Sequence, residues 1–154
     1  MGELLTAPPN LDGLATAEEI DTLVDADATA AAQLAAYQAS MIPEAVRVVG
    51  AAGQPAFQNN WSSFAGYGPV GFWKDPFGVV YLQGLTSSSV DPPAASVIFT
   101  LPVGYRPALP KTFPTFHSSL GNVFLTVQAN GEVQCSTNIG VNVVIYLDGM
   151  NFRP

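Results

Sequence analysis

Few side chains in this sequence could perform catalysis or bind a metal. His117 is the only histidine and Cys135 the only cysteine, so sites built from several histidines or from paired cysteines are excluded. Neither a Gly-x-Ser-x-Gly nucleophile motif nor a phosphate-binding GxxxxGK loop is present. We therefore expect His117 to be a structural or interface residue, Cys135 to be a core residue, and the protein to use no cofactor.

The four carboxylates beyond residue 50 each stand beside a turn signal. Asp75 precedes Pro-Phe-Gly, Asp91 precedes Pro-Pro, Glu132 follows Asn-Gly, and Asp148 precedes a glycine. Such positions have a local backbone reason for an acidic residue, whereas a glycosidase needs two carboxyl groups roughly 5–10 Å apart. The chain is therefore not expected to be an enzyme, and a polysaccharide depolymerase remains only a remote alternative.

Aromatic residues are better candidates for binding. Seven of them crowd into one short region: Trp61, Phe64, Tyr67, Phe72, Trp73, Phe77 and Tyr81. Exposed tryptophan and tyrosine rings stack on sugar faces, while the same residues also fill cores and subunit interfaces. We select Trp61, Tyr67 and Trp73 as candidate glycan-binding residues, with packing as the competing interpretation for each.

The charge content limits the possible partners. Charged residues make up only 11% of the chain, against about 25% in an average soluble domain, which predicts a surface partly covered by other chains. The net charge is -7, and the first fifty residues hold eight acids and one base. No basic patch is available for nucleic acid.

No apolar run is long enough to span a membrane and no signal peptide is recognisable, so we expect synthesis in a cytoplasm without membrane insertion.

From its N-terminus, the chain is predicted to form first an extended arm and then a helix. Residues 1–15 contain two adjacent prolines and read as an extended docking arm. Thr16 and Glu19 match a capping box, and an alanine-rich segment then runs to Pro43, which should end the helix. Residues 16–43 are therefore predicted to form one helix.

Apolar residues recur along this helix at the a and d positions of three heptads, with one acidic exception. We call this set the helix stripe: Ile20, Leu23, Asp27, Ala30, Leu34, Tyr37 and Met41. The spacing predicts a short coiled coil and thus an oligomer interface. The alternative is an amphipathic helix that packs on its own domain.

Residues 44–154 have the pattern of an all-β domain. Glycine, proline, asparagine and serine interrupt short apolar runs every eight to twelve residues, as in an antiparallel β-sandwich of jelly-roll type. One hairpin is expected around Asp75–Gly78. The run at residues 96–101 is predicted to place Val97, Phe99 and Leu101 on one face.

A second hairpin has a register that the sequence specifies. A two-residue turn at Asn-Gly would expose apolar residues on both faces of the hairpin. A three-residue loop, residues 129–131, instead pairs Val127 with Val133 and Leu125 with Cys135 on one buried face. We predict the longer loop.

The segment Leu-Pro-Val-Gly-Tyr-Arg-Pro, residues 101–107, reads as a rigid corner. Gly104 is predicted to take a positive φ in a type II turn. The two prolines on either side should fix the direction of Tyr105 and Arg106. We expect these two side chains to be displayed toward a neighbouring subunit.

Four segments together resemble a known module. They are residues 74–84 (KDPFGVVYLQG), 98–107 (IFTLPVGYRP), 130–133 (NGEV) and 146–153 (YLDGMNFR). Their order over residues 70–154 resembles a C-terminal module of tailed-bacteriophage tail fibres and minor tail proteins. The resemblance implies a β knob, usually homotrimeric, at the end of a fibre or spike. It further implies that the knob binds host-surface receptors, often glycans, or decorates the virion.

The sequence thus predicts a virion protein assembled in the host cytoplasm. It is expected to be a homotrimeric tail-tip or tail-fibre-like protein whose knob contacts a host-surface glycan through Trp61, Tyr67 and Trp73. Residues 1–15 and the acidic helix are expected to attach it to other virion proteins. A capsid decoration or head-fibre protein is the alternative, which the short chain and the docking arm favour.

Overall fold

The described residues of the N-terminal unit form one helix, whose start the sequence specifies. The computed structural model describes residues 13–118, 121–137, 140–142 and 144–154. Helix α1 spans Ala17–Ser40. Its capping box is confirmed, because the Thr16 backbone N–H donates to the Glu19 carboxylate at 2.7 Å and the Glu19 N–H donates to the Thr16 hydroxyl at 3.2 Å. The backbone hydrogen bond from Thr16 lowers the pKa of Glu19.

The helix ends earlier than predicted. It stops at Ser40, whose hydroxyl donates to the Tyr37 carbonyl at 2.7 Å, so that Met41 lies outside it. None of its residues is buried within the chain, and the large members of the helix stripe are exposed. The coiled coil stays a prediction, and most of the predicted arm, residues 1–12, lies outside the described residues. No helix in the described part of the chain is apolar over a membrane-spanning length.

The second unit, Met41–Pro154, contains two antiparallel sheets. The predicted fold class, a mainly β domain of two sheets with one preceding helix, is confirmed. The small sheet has the order β1-β3-β4-β11 and the large sheet the order β2-β5-β10-β7-β8-β9-β6. The strands are β1 Arg47–Val48, β2 Trp61–Ser63, β3 Gly71–Lys74, β4 Val80–Gln83, β5 Leu85–Ser88, β6 Ser96–Thr100, β7 Lys111–His117, β8 Gly121–Val127, β9 Glu132–Cys135, β10 Val144–Tyr146 and β11 Asn151–Phe152.

The facing sides of the two sheets form one hydrophobic core. Phe72 of the small sheet stacks on Phe99 of the large sheet, with ring centroids 6.3 Å apart. Leu125 and Cys135 are fully buried in the same cluster, and burial raises the pKa of the Cys135 thiol. His117 is also fully buried, opposite Ile145 in the neighbouring strand. Cys135 is therefore a core residue, as the sequence predicts.

The predicted register of the second hairpin is confirmed. Val127 pairs with Val133 and Leu125 pairs with Cys135, and Gly131 has a φ of +93°. A shift of one residue would have turned these apolar side chains to the other face. Burial against the small sheet therefore decides between the two possible turns.

Strand β6 does not alternate as predicted. Its pairing with β9 shifts between Val97 and Phe99, which is a bulge or irregularity in the ladder. Val97 is only half-buried, whereas Ile98, Phe99 and Leu101 are all buried. A shift of this kind lets consecutive residues enter the core. The prediction that Val97 shares the buried face of Phe99 and Leu101 is wrong.

The corner at residues 101–107 is locked to the loop at residues 129–131. Gly104 has a φ of +92° and the Tyr105 N–H donates to the Pro102 carbonyl at 3.1 Å, which confirms the predicted turn. The Leu101 N–H donates to the Gly131 carbonyl at 2.8 Å. Two segments of the quoted resemblance that lie far apart in sequence are thus hydrogen-bonded neighbours.

Candidate functional site

The small sheet presents a stacked aromatic pair on its outer face. Phe72 and Leu82 are opposite each other and buried. Their sequence neighbours Trp73 and Tyr81 are also opposite each other, so they point to the other face of the sheet. Their rings are nearly parallel, with an interplanar angle of 10° and centroids 4.4 Å apart. Both side chains are half-buried, so part of each remains accessible.

A turn carboxylate holds this pair in place. One oxygen of Asp75 accepts hydrogen bonds from the backbone N–H groups of Phe77 and Val79, at 2.9 and 2.8 Å. The other oxygen accepts the Tyr81 hydroxyl at 3.2 Å. Desolvation, and then the hydrogen bond and charge of Asp75, raise the pKa of Tyr81. The hairpin turn therefore fixes the Tyr81 ring as well as the backbone.

Amide side chains border the same face. Asn151 of strand β11 is opposite Tyr81 and exposed, and Gln83 lies two residues after Tyr81 on the same strand face. We call Trp73, Tyr81, Asp75, Gln83 and Asn151 the aromatic shelf. It combines ring surface with hydrogen-bonding groups, which is the composition that polar ligands with apolar faces require.

Trp61 is not part of this surface. It is buried in the core, and its indole N–H donates to the Ser96 hydroxyl at 3.0 Å. The prediction that Trp61 binds a host surface is therefore wrong. The indole N–H, the one polar group of the ring, has its hydrogen-bond acceptor inside the protein, as is usual for a buried tryptophan.

Tyr67 is exposed, as a binding residue must be. It lies in the loop between β2 and β3, and its nearest ring partner is Phe64, with centroids 5.6 Å apart. Trp73 has Tyr81 as its partner instead. The two predicted binding residues that are accessible therefore belong to separate aromatic pairs.

Tyr105 is not displayed on the corner. It is buried, its ring meets the Phe72 ring edge-on at 5.1 Å, and its hydroxyl donates to the Glu44 carboxylate. The Arg47 guanidinium and the Lys74 ammonium lie 5.2 and 4.5 Å from its ring centroid. Burial, followed by the interaction with Glu44, raises the pKa of Tyr105.

Arg106 is half-buried and is bound to the corner itself. Its Nε donates to the Leu101 carbonyl at 2.8 Å. The prediction that the corner displays Tyr105 and Arg106 outward is wrong for Tyr105, because the core below the corner accommodates the tyrosine ring. Arg106 primarily serves the corner backbone.

The remaining turn carboxylates accept structural hydrogen bonds, and two of the donors are backbone N–H groups far away in the sequence. Asp91 accepts the Gly140 N–H at 3.0 Å, and Asp148 accepts the Gly84 N–H at 2.7 Å. Glu132 accepts the Gln134 side-chain amide at 2.8 Å. Within the described ranges, no three residues of the histidine, cysteine, aspartate and glutamate types come together as a metal site would need.

Sequence reasoning missed a second aromatic surface, on the large sheet. Phe116 and Phe124 of strands β7 and β8 are each more than half exposed. Pro114 weakens the strand signal of β7, yet the strand is seven residues long and its prolyl residue is opposite Phe124. Among the described residues, the ladder between β10 and β7 pairs Ile145 with His117, three residues beyond Pro114. Pro114 lies outside that pair, where a missing N–H is tolerated.

The comparisons with known proteins yield one structural likeness. No protein-family model and no curated protein matches the chain. The crystal structure of the receptor binding protein (gp15) of Listeria phage PSA is similar, with a TM-score of 0.68. The two sequences are 16% identical, and the match covers 96% of this chain and 88% of that one. At this identity the likeness shows a shared fold that includes nearly the whole of both chains.

Proposed function

We propose that this chain is a receptor-binding protein of a bacteriophage tail and that its β unit contacts the host surface. The observation that carries the proposal is the shared fold with the phage receptor binding protein over nearly the full length of both chains. Fold alone does not assign function. The four quoted segments, which resemble those of tail-fibre proteins, support the same conclusion.

The aromatic shelf is the proposed contact for a host-surface glycan. Trp73 and Tyr81 supply ring surface, and Asp75 holds Tyr81 rigid, which lowers the entropy lost on binding. Gln83 and Asn151 supply amide donors and acceptors beside the rings. Tyr67 is a second exposed ring for this role.

The proposed assembly is a homotrimer held partly by the helix stripe. Every residue of α1 is exposed within its own chain, including large apolar members of the stripe such as Leu23 and Leu34. An apolar stripe of this kind is stable in water when other helices cover it. Attachment to other virion proteins is proposed to use residues 1–15 and the acidic part of the helix.

Tryptophan fluorescence tests the shelf directly. The chain has two tryptophans, and Trp61 is buried while Trp73 is partly accessible. Titration with fragments of the host cell wall should change the emission of Trp73. Trp73→Ala should weaken binding about tenfold or more, as expected for a central aromatic contact. The matched variant Trp73→Phe should keep most of the affinity but lose the emission change.

Adsorption of phage particles tests the wider function. Particles that lack this chain should fail to adsorb to their host, and purified chain should compete with intact particles for the cell surface. Normal adsorption without the chain would show that the proposal is wrong. Density for the chain on the capsid shell and none at the tail, in a particle reconstruction, would assign it to capsid decoration instead.

A further inference from the structure

The stacking of Trp73 on Tyr81 leaves each ring with one free face. The planes of the two rings differ by 10°, and their centroids are 4.4 Å apart. A ligand between the rings would need about 3.5 Å of clearance on each side, roughly 7 Å in total, so none can enter there. Because the small sheet has the order β1-β3-β4-β11, the free face of Trp73 is directed toward β1 and that of Tyr81 toward β11.

The β1 side of the stacked pair is apolar and partly filled. Gly71 precedes Trp73 by two residues in β3 and shares its face of the sheet. A Cβ on Gly71 would lie 2.7 Å from Cγ1 of Val46, so the Val46 side chain already covers that position. Val48 is directly opposite Gly71 and lies on the same side. Two valines offer a sugar no hydrogen bond beside the Trp73 ring.

The β11 side of the stacked pair is polar and open. Asn151 is directly opposite Tyr81 and exposed. Its side-chain amide donates to the Gly149 carbonyl at 3.3 Å, which orients the carboxamide and uses one of its two donor hydrogens. Within the described part of the chain, the carboxamide oxygen accepts no hydrogen bond. Asparagine is also shorter than tyrosine, so the outer part of the Tyr81 ring extends beyond it.

Arg153 adds a second hydrogen-bonding group on the β11 side. It is exposed and follows the buried Phe152, so the alternation of side chains places it on the same side as Asn151. No carboxylate among the described residues forms an ion pair with it, because the ion pair found there joins Arg47 to Glu44. The guanidinium is therefore available to donate to a ligand.

We infer that the sugar stacks on the β11 side of the Tyr81 ring and that Asn151 and Arg153 select it. Trp73 supports the ring from behind, and the hydrogen bond from the Tyr81 hydroxyl to Asp75 fixes its orientation. This inference rests on the proposed glycan contact. It adds to that proposal the ring face that is used and the side chains that determine specificity.

The donors and acceptors on the β11 side indicate the class of sugar. A carboxamide with one remaining N–H and an unused oxygen can bind two neighbouring hydroxyl groups at once. One hydroxyl donates to the Asn151 oxygen, and its neighbour accepts from the Asn151 amide or from Arg153. The ligand that fits is a pyranose with an apolar ring face for Tyr81 and two adjacent hydroxyl groups at its edge.

Variants on the two sides of the stacked pair test the assignment. Binding of the full chain to host cell-wall fragments is measured by calorimetry. Asn151→Ala should raise the dissociation constant about tenfold or more, and Arg153→Ala should raise it several-fold. Val46→Ala is the matched control on the β1 side, because Val46 is also exposed beside a ring of the pair. It should leave the constant unchanged, and circular dichroism melting shows whether each variant remains folded.

A change in selectivity separates contact with the sugar from general support of the sheet. The methyl glycosides of glucose, galactose and mannose differ in the orientation of single hydroxyl groups, and each is used to compete with the wall fragments. Asn151→Asp keeps the size of the side chain but replaces its donor with an acceptor. It should change the ranking of the three sugars, whereas Val46→Ala should keep the wild-type ranking. This measurement also serves if Asn151→Ala weakens the fold.

The outcomes separate this inference from the proposed glycan contact. A wild-type chain that binds no wall fragments overturns both. Binding that Trp73→Ala weakens, but that the Asn151 and Arg153 variants leave unchanged in strength and ranking, keeps the aromatic shelf and overturns the inference. A loss in Val46→Ala as large as that in Asn151→Ala would place the sugar on the Trp73 side and would also overturn it.

Discussion

Replacing Gly131 with alanine tests the lock between the corner and the loop at residues 129–131. Gly131 has a φ of +93°, a conformation that costs an alanine about 1 kcal/mol. A Cβ there would lie 2.7 Å from both the Leu101 carbonyl oxygen and the Arg106 Nε. These two atoms are hydrogen-bonded to each other. The backbone oxygen cannot move aside cheaply, so the corner must shift and that hydrogen bond must lengthen.

The expected loss combines two terms. Positive φ and the weakened charged hydrogen bond together should lower the free energy of unfolding by about 2–4 kcal/mol. For a domain of this size that corresponds to a decrease in Tm of roughly 10–15 °C. Urea unfolding should show a lower midpoint with an unchanged m-value, because the native fold is kept.

Gly104→Ala is the matched control. Gly104 has nearly the same φ, +92°, but a Cβ there would meet no heavy atom within 4 Å. Its substitution should cost only the conformational term, about 1 kcal/mol. The difference between the two variants measures the steric lock. Equal losses would refute the reasoning, because backbone conformation alone would then account for both.

Two further predictions concern the hydrogen bonds that hold the β unit together. Tyr105→Phe removes the donor to Glu44 and should lower the free energy of unfolding by about 1 kcal/mol in urea melts at neutral pH. The folded-state pKa of Tyr105 is raised above 10, so this contribution is present at lower pH and is lost as pH rises through the raised value. The wild type should therefore lose more stability above pH 10 than Tyr105→Phe, and parallel pH profiles would contradict this. Asp148→Ala leaves the buried Gly84 N–H without its acceptor and should cost about 1–3 kcal/mol by the same assay, whereas Asp148→Asn keeps an acceptor oxygen and should cost less. Equal losses in the two Asp148 variants would show that the hydrogen bond contributes little.

Local signals in the sequence determined the turns and the helix start. The capping box at Thr16 and Glu19 forms as predicted, because both partners lie within one turn of each other. The three-residue loop that ends at Gly131 was predictable because the alternation of apolar residues permits only one register with a single buried face. The positive φ of Gly104 likewise follows from its neighbours. For the helix start and for Gly104 the deciding interactions join residues close together in the chain, whereas the hairpin register also depends on the burial of one face against the small sheet.

The identity of the exposed aromatics depended on the tertiary structure. Trp61 and Trp73 look alike in sequence, yet one donates to Ser96 inside the core and the other stacks on Tyr81 at the surface. The sequence does not state which face of a short strand the second sheet will cover, and that choice determines which ring is buried.

The exposure of Phe116 and Phe124 and the burial of Tyr105 both depend on long-range contacts. The proline in β7 weakens the local strand signal, but it lies opposite Phe124 and outside the described ladder pair of β7 and β10, where a missing N–H is tolerated. Tyr105 follows a turn, a position at which the sequence predicts an exposed side chain. Its ring instead packs against Phe72 and its hydroxyl donates to Glu44, and both residues are distant in sequence. The sequence by itself determined the elements, most of their turns and the depletion of charge. Only the packing of one sheet on the other decided which aromatic side chains remain available to a partner, because burial is a property of the surfaces that long-range contacts bring together.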